Sequence, residues 1–318
     1  MDLRTRYLGL ELASPFVCGA SPLTDSVDGA RRLEDAGVAA LVLPSLFEEQ
    51  IEHRGALELA GTPAGDLGRD PDRYLDHVRR VREAVDVPVI ASLNGTALGG
   101  WLAYARRIEE AGADGLELNV HRVIAEPTTR GAEVEDAMVE IVTAVSDAVL
   151  MPVAVKLAPT YTALAQLALR LEDAGADGLV LFNRFHEIDV DLERLELRHQ
   201  MHLSGPAELG VRLRWLAILR GSARGSLAAT GGVHTIDDAL KVLACGADVV
   251  QLVSELLAHG PGRLTELRGE LERWLACHEI DAVADLIGCV ALGRGEQSEP
   301  SQRALYVRAL SAWPQSGG

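Results

Sequence analysis

The sequence predicts a single α/β domain, a (β/α)8 TIM barrel with an extra C-terminal helical segment. Three observations carry that expectation. A short motif recurs four times, a proline punctuation alternates with it, and eight short apolar runs are separated by amphipathic stretches. The motif reads Glu34-Asp35-Ala36-Gly37, Glu109-Glu110-Ala111-Gly112, Glu172-Asp173-Ala174-Gly175 and Leu243-Ala244-Cys245-Gly246. Its glycine stands where a helix needs a residue of positive φ just past its end. The prolines, Pro88 and Pro152, stand just ahead of β-rich runs, where they end a helix and begin an extended segment.

In chain order the strands are expected over 15–20, 39–44, 87–93, 114–119, 152–157, 177–183, 226–230 and 248–253. Each is a short apolar run, as a buried parallel strand requires. Helices are expected over 27–36, 73–85, 99–111, 133–148, 162–174, 209–220, 235–245 and 262–277. Strict alternation means a parallel sheet covered by helices. The rival is a doubly wound open sheet, which would carry a GxGxxG turn after its first strand. Cys18-Gly19-Ala20-Ser21-Pro22 stands there instead. Two connections, 45–72 and 184–208, are too long for simple turns. Both leave C-terminal strand ends, the face on which such barrels carry their sites. The barrel core is expected over about 14–277 of a single domain 1–318. The extension, about 278–318, reads as loop over 288–301 and as a short helix over 301–311. It would serve oligomerisation or act as a lid over the barrel.

The chain has 318 residues, 30 basic and 47 acidic, for a formal charge of −17. With aromatic residues at 4%, this composition speaks against a nucleic-acid partner, because there is no basic surplus to release counterions and little to stack on bases. No apolar run approaches the roughly 18–20 residues that span a membrane. The N-terminus lacks the pattern of a signal peptide. Cys18, Cys245, Cys277 and Cys289 are far apart, with no CxxC pair, so neither a zinc ribbon nor a cysteine-ligated cluster is expected. These features lead us to expect a soluble cytoplasmic protein without disulfides.

The predicted strand ends converge on a polar list with one cation: Gly19-Ala20-Ser21, Pro44-Ser45, Asn94-Gly95, Asn119, Lys156, Asn183, Gly231-Gly232 and Ser254. Lys156 closes the fifth strand, where a lysine can form a Schiff base, act as a base or hold an anion. Gly231-Gly232 after the seventh strand, with Ser254 after the eighth, suits close approach of backbone N–H groups to a phosphate. Asn94, Asn119 and Asn183 at equivalent places suit the edges of a planar hydrogen-bonding ligand. His121 and Arg122 follow Asn119, and His186 and Glu187 follow Asn183. These are acid–base or substrate groups, or simply exposed loop polarity. His199 and His202 have metal-compatible spacing but no evident third ligand, so no metal site is expected. Cys18 reads as a small core residue.

Several runs together resemble the dihydroorotate dehydrogenase family of FMN-dependent barrels. The resemblance is closest to a bacterial dihydroorotate dehydrogenase-like subgroup and covers nearly the whole chain. They are Pro15-Phe16-Val17-Cys18-Gly19-Ala20-Ser21, Glu117-Leu118-Asn119, Pro152-Val153-Ala154-Val155-Lys156-Leu157-Ala158-Pro159, Gly178-Leu179-Val180-Leu181-Phe182-Asn183, Leu203-Ser204-Gly205-Pro206 and Gly231-Gly232-Val233 with Asp238-Ala239. Ser45-Leu46-Phe47-Glu48-Glu49-Gln50 and Leu181-Phe182-Asn183-Arg184-Phe185 suggest the subgroup.

The resemblance implies an FMN across the barrel mouth. Lys156 would sit by the flavin pyrimidine ring and stabilise charge on the reduced flavin. Asn94 and Asn119 would contact the isoalloxazine, with Ala20 and Ser21 beneath it. Gly205, Gly231, Gly232 and Ser254 would surround the phosphate, and Asn183, with Ser204 and Ser45, would face the substrate. A homodimer is implied as well. Where the family carries Asn-x-Ser-Cys-Pro-Asn after the fourth strand, this chain reads Asn119-Val120-His121-Arg122-Val123-Ile124. The base position is Arg122, which stays protonated. Ile124 replaces a substrate asparagine, and Pro44 stands where the family has a lysine. The flavin half of the site looks kept and the substrate half rebuilt, with His121 as the replacement base.

The expected chemistry is hydride transfer from a carbon of a small cyclic or planar acid or amide to flavin N5, nominally dihydroorotate to orotate, with an external electron acceptor. Two other classes stay open: a lysine-dependent aldolase or isomerase of phosphorylated substrates, and a flavin-holding, non-catalytic subunit of a redox complex.

Overall fold

The structure is a computed structural model that describes residues 1–52, 70–96, 101–184, 187–293 and 295–312. Two short antiparallel strands come first, β1 (Thr5–Tyr7) and β2 (Leu10–Leu12). Six parallel strands follow: β3 (Phe16–Cys18), β4 (Leu41–Phe47), β5 (Val89–Asn94), β6 (Gly115–Asn119), β7 (Val153–Leu157) and β8 (Gly178–Leu181). After a second hairpin, β9 (Glu187–Asp191) and β10 (Glu196–Gln200), come β11 (Ser226–Thr230) and β12 (Val249–Leu252). The eight parallel strands form a closed barrel in the order β11-β12-β3-β4-β5-β6-β7-β8, and β8 pairs with β11 to complete it. The fold is therefore the expected (β/α)8 barrel, with strand bounds shifted by up to three residues.

The motif glycines do what their positions require. Gly37, Gly112, Gly175 and Gly246 all have positive φ, between 90° and 121°. The acidic residues of the motif carry a second role that spacing did not disclose. Glu34 Oε1 accepts from the N–H groups of Asp86 and Val87, just ahead of β5. Glu109 Oε1 accepts from Leu150 and Met151 ahead of β7, and Glu172 Oε1 from Arg224 and Gly225 ahead of β11. Asp114, Asp177 and Asp248 add a second set, bonding Val89 N, Val153 N and Leu227 N at 2.7–2.8 Å. Part of the acidic surplus thus satisfies strand-start N–H groups that the sheet leaves unpaired.

The β1–β2 hairpin was not foreseen. Tyr7, Leu8 and Leu12 pack with Val17, Val42, Ile90, Ala154, Val180, Ala228 and Val249 in a core cluster separate from the larger one, where the helices pack on the barrel. Thr5 Oγ1 bonds Asp248 O and Leu8 N bonds Ser226 Oγ, both where strands begin. The hairpin therefore plugs the end of the barrel opposite the strand C-termini. The C-terminal extension lies on that same end. Asp2 bridges to Ala282, and Gly288 N and Val290 N bond Leu243 O and Ala244 O at the C-terminal end of the helix Ile236–Cys245. The expectation of a lid is corrected: up to residue 290 the extension packs against Asp2 and the end of that helix, on the side of the barrel away from its mouth. Its last helix, Glu299–Ser311, lies close to the expected range and has no buried residue.

The two long connections hold more order than expected. The first begins later than anticipated, because β4 runs on to Phe47 and leads into a short helix, Glu48–Glu52; residues 53–69 lie outside the described residues. The second contains the β9–β10 hairpin. Among the described residues, no helix is long and apolar enough to cross a membrane.

Candidate active site

β5, β6 and β7 build one wall of the mouth. Their register sets Asn94 beside Asn119 and Asn119 beside Lys156. Side chains two residues apart on a strand share a direction, so Glu117 lies one layer beneath Asn119, inside the barrel. It is 1% exposed. Lys156 Nζ donates to Glu117 Oε1 at 3.2 Å, and Gln251 Nε2 donates to Glu117 Oε2 at 2.9 Å. A buried carboxylate is costly unless paired and hydrogen-bonded, and here both oxygens are used. Asn119 Oδ1 differs: it is buried and has no hydrogen-bond partner. An open acceptor in a polar mouth is a place for a ligand donor.

The wall near β11 and β12 is a cradle of backbone and hydroxyl groups. Ser204 N donates to Ser254 Oγ at 2.9 Å, the two hydroxyls lie 2.8 Å apart, and Gly232 N donates to Ser204 Oγ at 3.1 Å. Gly231 and Gly232 have φ of 84° and 79°, and a Cβ on Gly231 would run into the Arg212 guanidinium. A Cβ on Gly232 would lie 3.1 Å from Leu209 N and 3.2 Å from Gly205 O. The turn takes this path only with two glycines. Arg212 beneath it donates to Thr230 O and to Glu208 O, and burial lowers its pKa. His234 spans Ser204 O at 2.6 Å and Glu255 Oε2 at 3.0 Å, which fixes the Ser204 loop from behind. Gly205 N donates to Glu208 Oε1, which also accepts from Arg184 at 2.6 Å. Arg184 Nε is buried without a partner.

The rim between these walls brings His121 and Asn183 together. Asn183 Oδ1 accepts from Arg184 N at 2.9 Å, which turns Nδ2 toward His121 Nδ1 at 3.1 Å. The ring nitrogen facing the amide is then the acceptor, and Nε2 carries the proton. Arg122 stands beside Tyr161. Burial pushes that phenol up to about 12, with Glu135 adding to the shift and Arg122 opposing it.

The remaining candidates fall as follows. Ala20 and Ser21 follow β3 after Gly19, and Ser21 is buried. Ser45 lies within β4, its hydroxyl 2.8 Å from that of Ser92. Burial pushes the Cys18 thiol up to about 12, as suits a core residue. His186 lies outside the described residues. Glu187 pairs with Arg184 at 3.3 Å. His202 Nε2 lies 2.7 Å from Gln200 Oε1, and His199 is on β10.

Sequence reasoning missed Glu117 and Gln251 as site residues, although the signal was present. Each is a polar residue inside a run that otherwise reads as buried strand, and in each the period of two points it into the barrel. Glu208, Arg212, Arg184 and His234 left no such signal, because their roles depend on loops that the fold brings together.

The model of the family described as dihydroorotate dehydrogenase matches residues 67–275. Among curated proteins, the chain is 27% identical over 299 residues to the catalytic subunit of dihydroorotate dehydrogenase B (NAD(+)) of Methanothermobacter thermautotrophicus, covering 90% of this chain and 97% of that one. It is 27% identical over 303 residues to the protein of the same name from a Geobacter species, strain M21, covering 92% and 99%. To that of Desulforudis audaxviator it is 28% identical over 291 residues, covering 88% and 94%. With a parallel barrel closed around a lysine-bearing polar mouth, and a family match over most of its length, the chain belongs to the dihydroorotate dehydrogenase family of oxidoreductases.

Proposed function

We propose that this protein is an FMN-dependent oxidoreductase that takes a hydride from a CH–CH unit of a small cyclic or planar acid or amide. The observation that carries the reading is the buried, unpartnered Asn119 Oδ1 beside Asn94 and Lys156, facing a mouth whose other wall holds the Gly231-Gly232 cradle. The residues fit the group. Asn119 and Asn94 offer an acceptor and donors to a ring edge that carries both N–H and C=O groups. Ser204, Ser254 and the paired glycines offer small groups and a close backbone to a phosphate. Bound FMN supplies the hydride acceptor.

The protein's own part is placement and proton transfer. Lys156 would stand beside the bound cofactor at the mouth, its Nζ held by Glu117. His121 acts as base through Nδ1 once substrate draws the Asn183 amide onto itself. The Arg122 guanidinium attracts the substrate's negative charge. Dihydroorotate is the nominal substrate, supported by the family and by the names of the relatives. Those relatives are named as catalytic subunits of an NAD(+)-linked enzyme, which supports electron delivery to a partner subunit. A homodimer belongs to the same proposal, tested by a light-scattering mass of twice the chain's. The aldolase reading has less support, since an ammonium paired with a buried carboxylate has no lone pair to offer a carbonyl carbon.

The test is a visible spectrum of the purified protein, with the released cofactor identified, followed by anaerobic addition of dihydroorotate. A yellow protein that releases FMN and is bleached by dihydroorotate is the expected result. A colourless protein that refuses added FMN overturns the reading.

A further inference from the structure

A buried polar pair lies under the mouth of the barrel. Glu117 is 1% exposed, as is Gln251, and both lie inside a barrel whose lower half is apolar. Its two oxygens are held from different strands, by Lys156 on β7 and by Gln251 on β12. Beneath them stands Tyr7 of the plug. Burial raises its phenol well above the ordinary range, the negative charge of Glu117 adds to this, and the Gln251 side chain opposes it. Gln251 Oε1, the other end of the amide that donates to Glu117, is buried without a hydrogen-bond partner. Among the described residues, Glu117 is the one hydrogen-bond partner of the Lys156 ammonium. An ammonium has three donors, so two remain for the mouth.

A barrel that needed only a cation at its mouth would not bury a carboxylate behind it. Apolar filler beneath the lysine would avoid that desolvation. We propose that Glu117 is a positioning residue with an electrostatic role: it fixes the direction of Lys156 and cancels much of its charge, so that the flavin meets a nearly neutral pair instead of a full cation. The inference rests on the FMN reading and adds to it what sets the balance between oxidised and reduced cofactor. A full cation favours the reduced, more negative flavin; a compensated one favours it much less.

The experiment measures the affinities of the apoprotein for oxidised and reduced FMN, or equivalently the midpoint potential of the bound flavin, in the wild type, in Glu117→Gln, and in Glu117→Gln with Lys156→Gln. The first variant leaves the ammonium uncompensated. Its preference for reduced over oxidised FMN is expected to rise about tenfold or more, the scale of one unit charge several ångströms away at an effective dielectric of about 20. The double variant removes both charges of the pair and leaves neither uncompensated, so it remains measurable if the single one fails to fold. It is expected to stay within about threefold of wild type, because a nearly neutral pair has been replaced by a neutral one. Glu117→Gln that binds FMN with an unchanged preference overturns the inference. So does a double variant that loses preference for reduced FMN by about tenfold, the behaviour of a lysine acting as a full cation. In both cases the flavin reading stands. A wild-type protein that binds no FMN removes both.

Discussion

His121 Nδ1 and Asn183 Nδ2 stand 3.1 Å apart across the width of β7, one following β6 and the other following β8. No local feature of the chain joins them; they are 62 residues apart. The amide holds the ring in one orientation and one tautomer, and it occupies the Nδ1 lone pair that substrate would free by taking the amide. Replacing His121 by Ala is expected to slow anaerobic bleaching of the flavin by substrate by about a hundredfold or more, the usual scale of a lost base. The flavin spectrum should be retained. Stopped-flow measurement decides it, and an unimpaired rate would remove His121 from the mechanism.

Asn119→Ala removes the open acceptor. FMN affinity is expected to fall by about tenfold, corresponding to the net worth of roughly one hydrogen bond. Titration of the apoprotein by flavin fluorescence gives the number. An unchanged Kd would mean that Oδ1 does not face the ligand.

The Glu172 carboxylate satisfies two N–H groups ahead of β11 and an Arg224 guanidinium. Glu172→Ala leaves those N–H groups without their partner and is expected to cost about 1–3 kcal/mol of stability. Urea unfolding should show a lower midpoint at unchanged slope. FMN affinity should not move, since the contact is at the end of the barrel away from the mouth.

The buried Cys18 thiol, at about 12 against an ordinary 9.0, keeps its proton in the folded protein where the unfolded chain loses it. The folded state then binds more protons than the unfolded one, so this contribution is complete below pH 9 and is lost as pH rises toward 12. Tyr7, also raised by burial, acts in the same direction. The urea midpoint is expected to fall between pH 8 and pH 10.5 and to fall less in Cys18→Ala. Alkylation at pH 8 should spare Cys18 until the protein unfolds. Modification of the native protein at that position would contradict its burial.

The barrel could be read from particular residues. Gly112 and Gly175 mark helix ends because only positive φ lets the chain turn back there, and Pro88 and Pro152 mark strand starts because proline cannot continue a helix. These are local rules, so the sequence alone was enough to place all eight barrel strands and their order. It also identified Lys156, Asn94 and Asn119, since a polar residue closing a buried strand must sit at the mouth. The β1–β2 plug escaped notice because three-residue strands carry too little periodicity, and their apolar side chains have meaning only against the barrel interior they fill.

By itself, then, the sequence determined what short-range sterics and alternation control: the class of fold, the number of strands and the residues at the strand ends. The tertiary structure decided who meets whom. Glu117 became the partner of Lys156 because the register of two strands sets Lys156 beside Asn119, from where its side chain reaches the carboxylate one layer beneath, and Gln251 reached the same carboxylate from β12, across the closed barrel. His121 found Asn183, and the Gly231-Gly232 turn found Ser204, only because the closed circle of strands brings distant loops to one rim. Contacts of that kind depend on the sum of all the strand pairings, and no single stretch of sequence contains them.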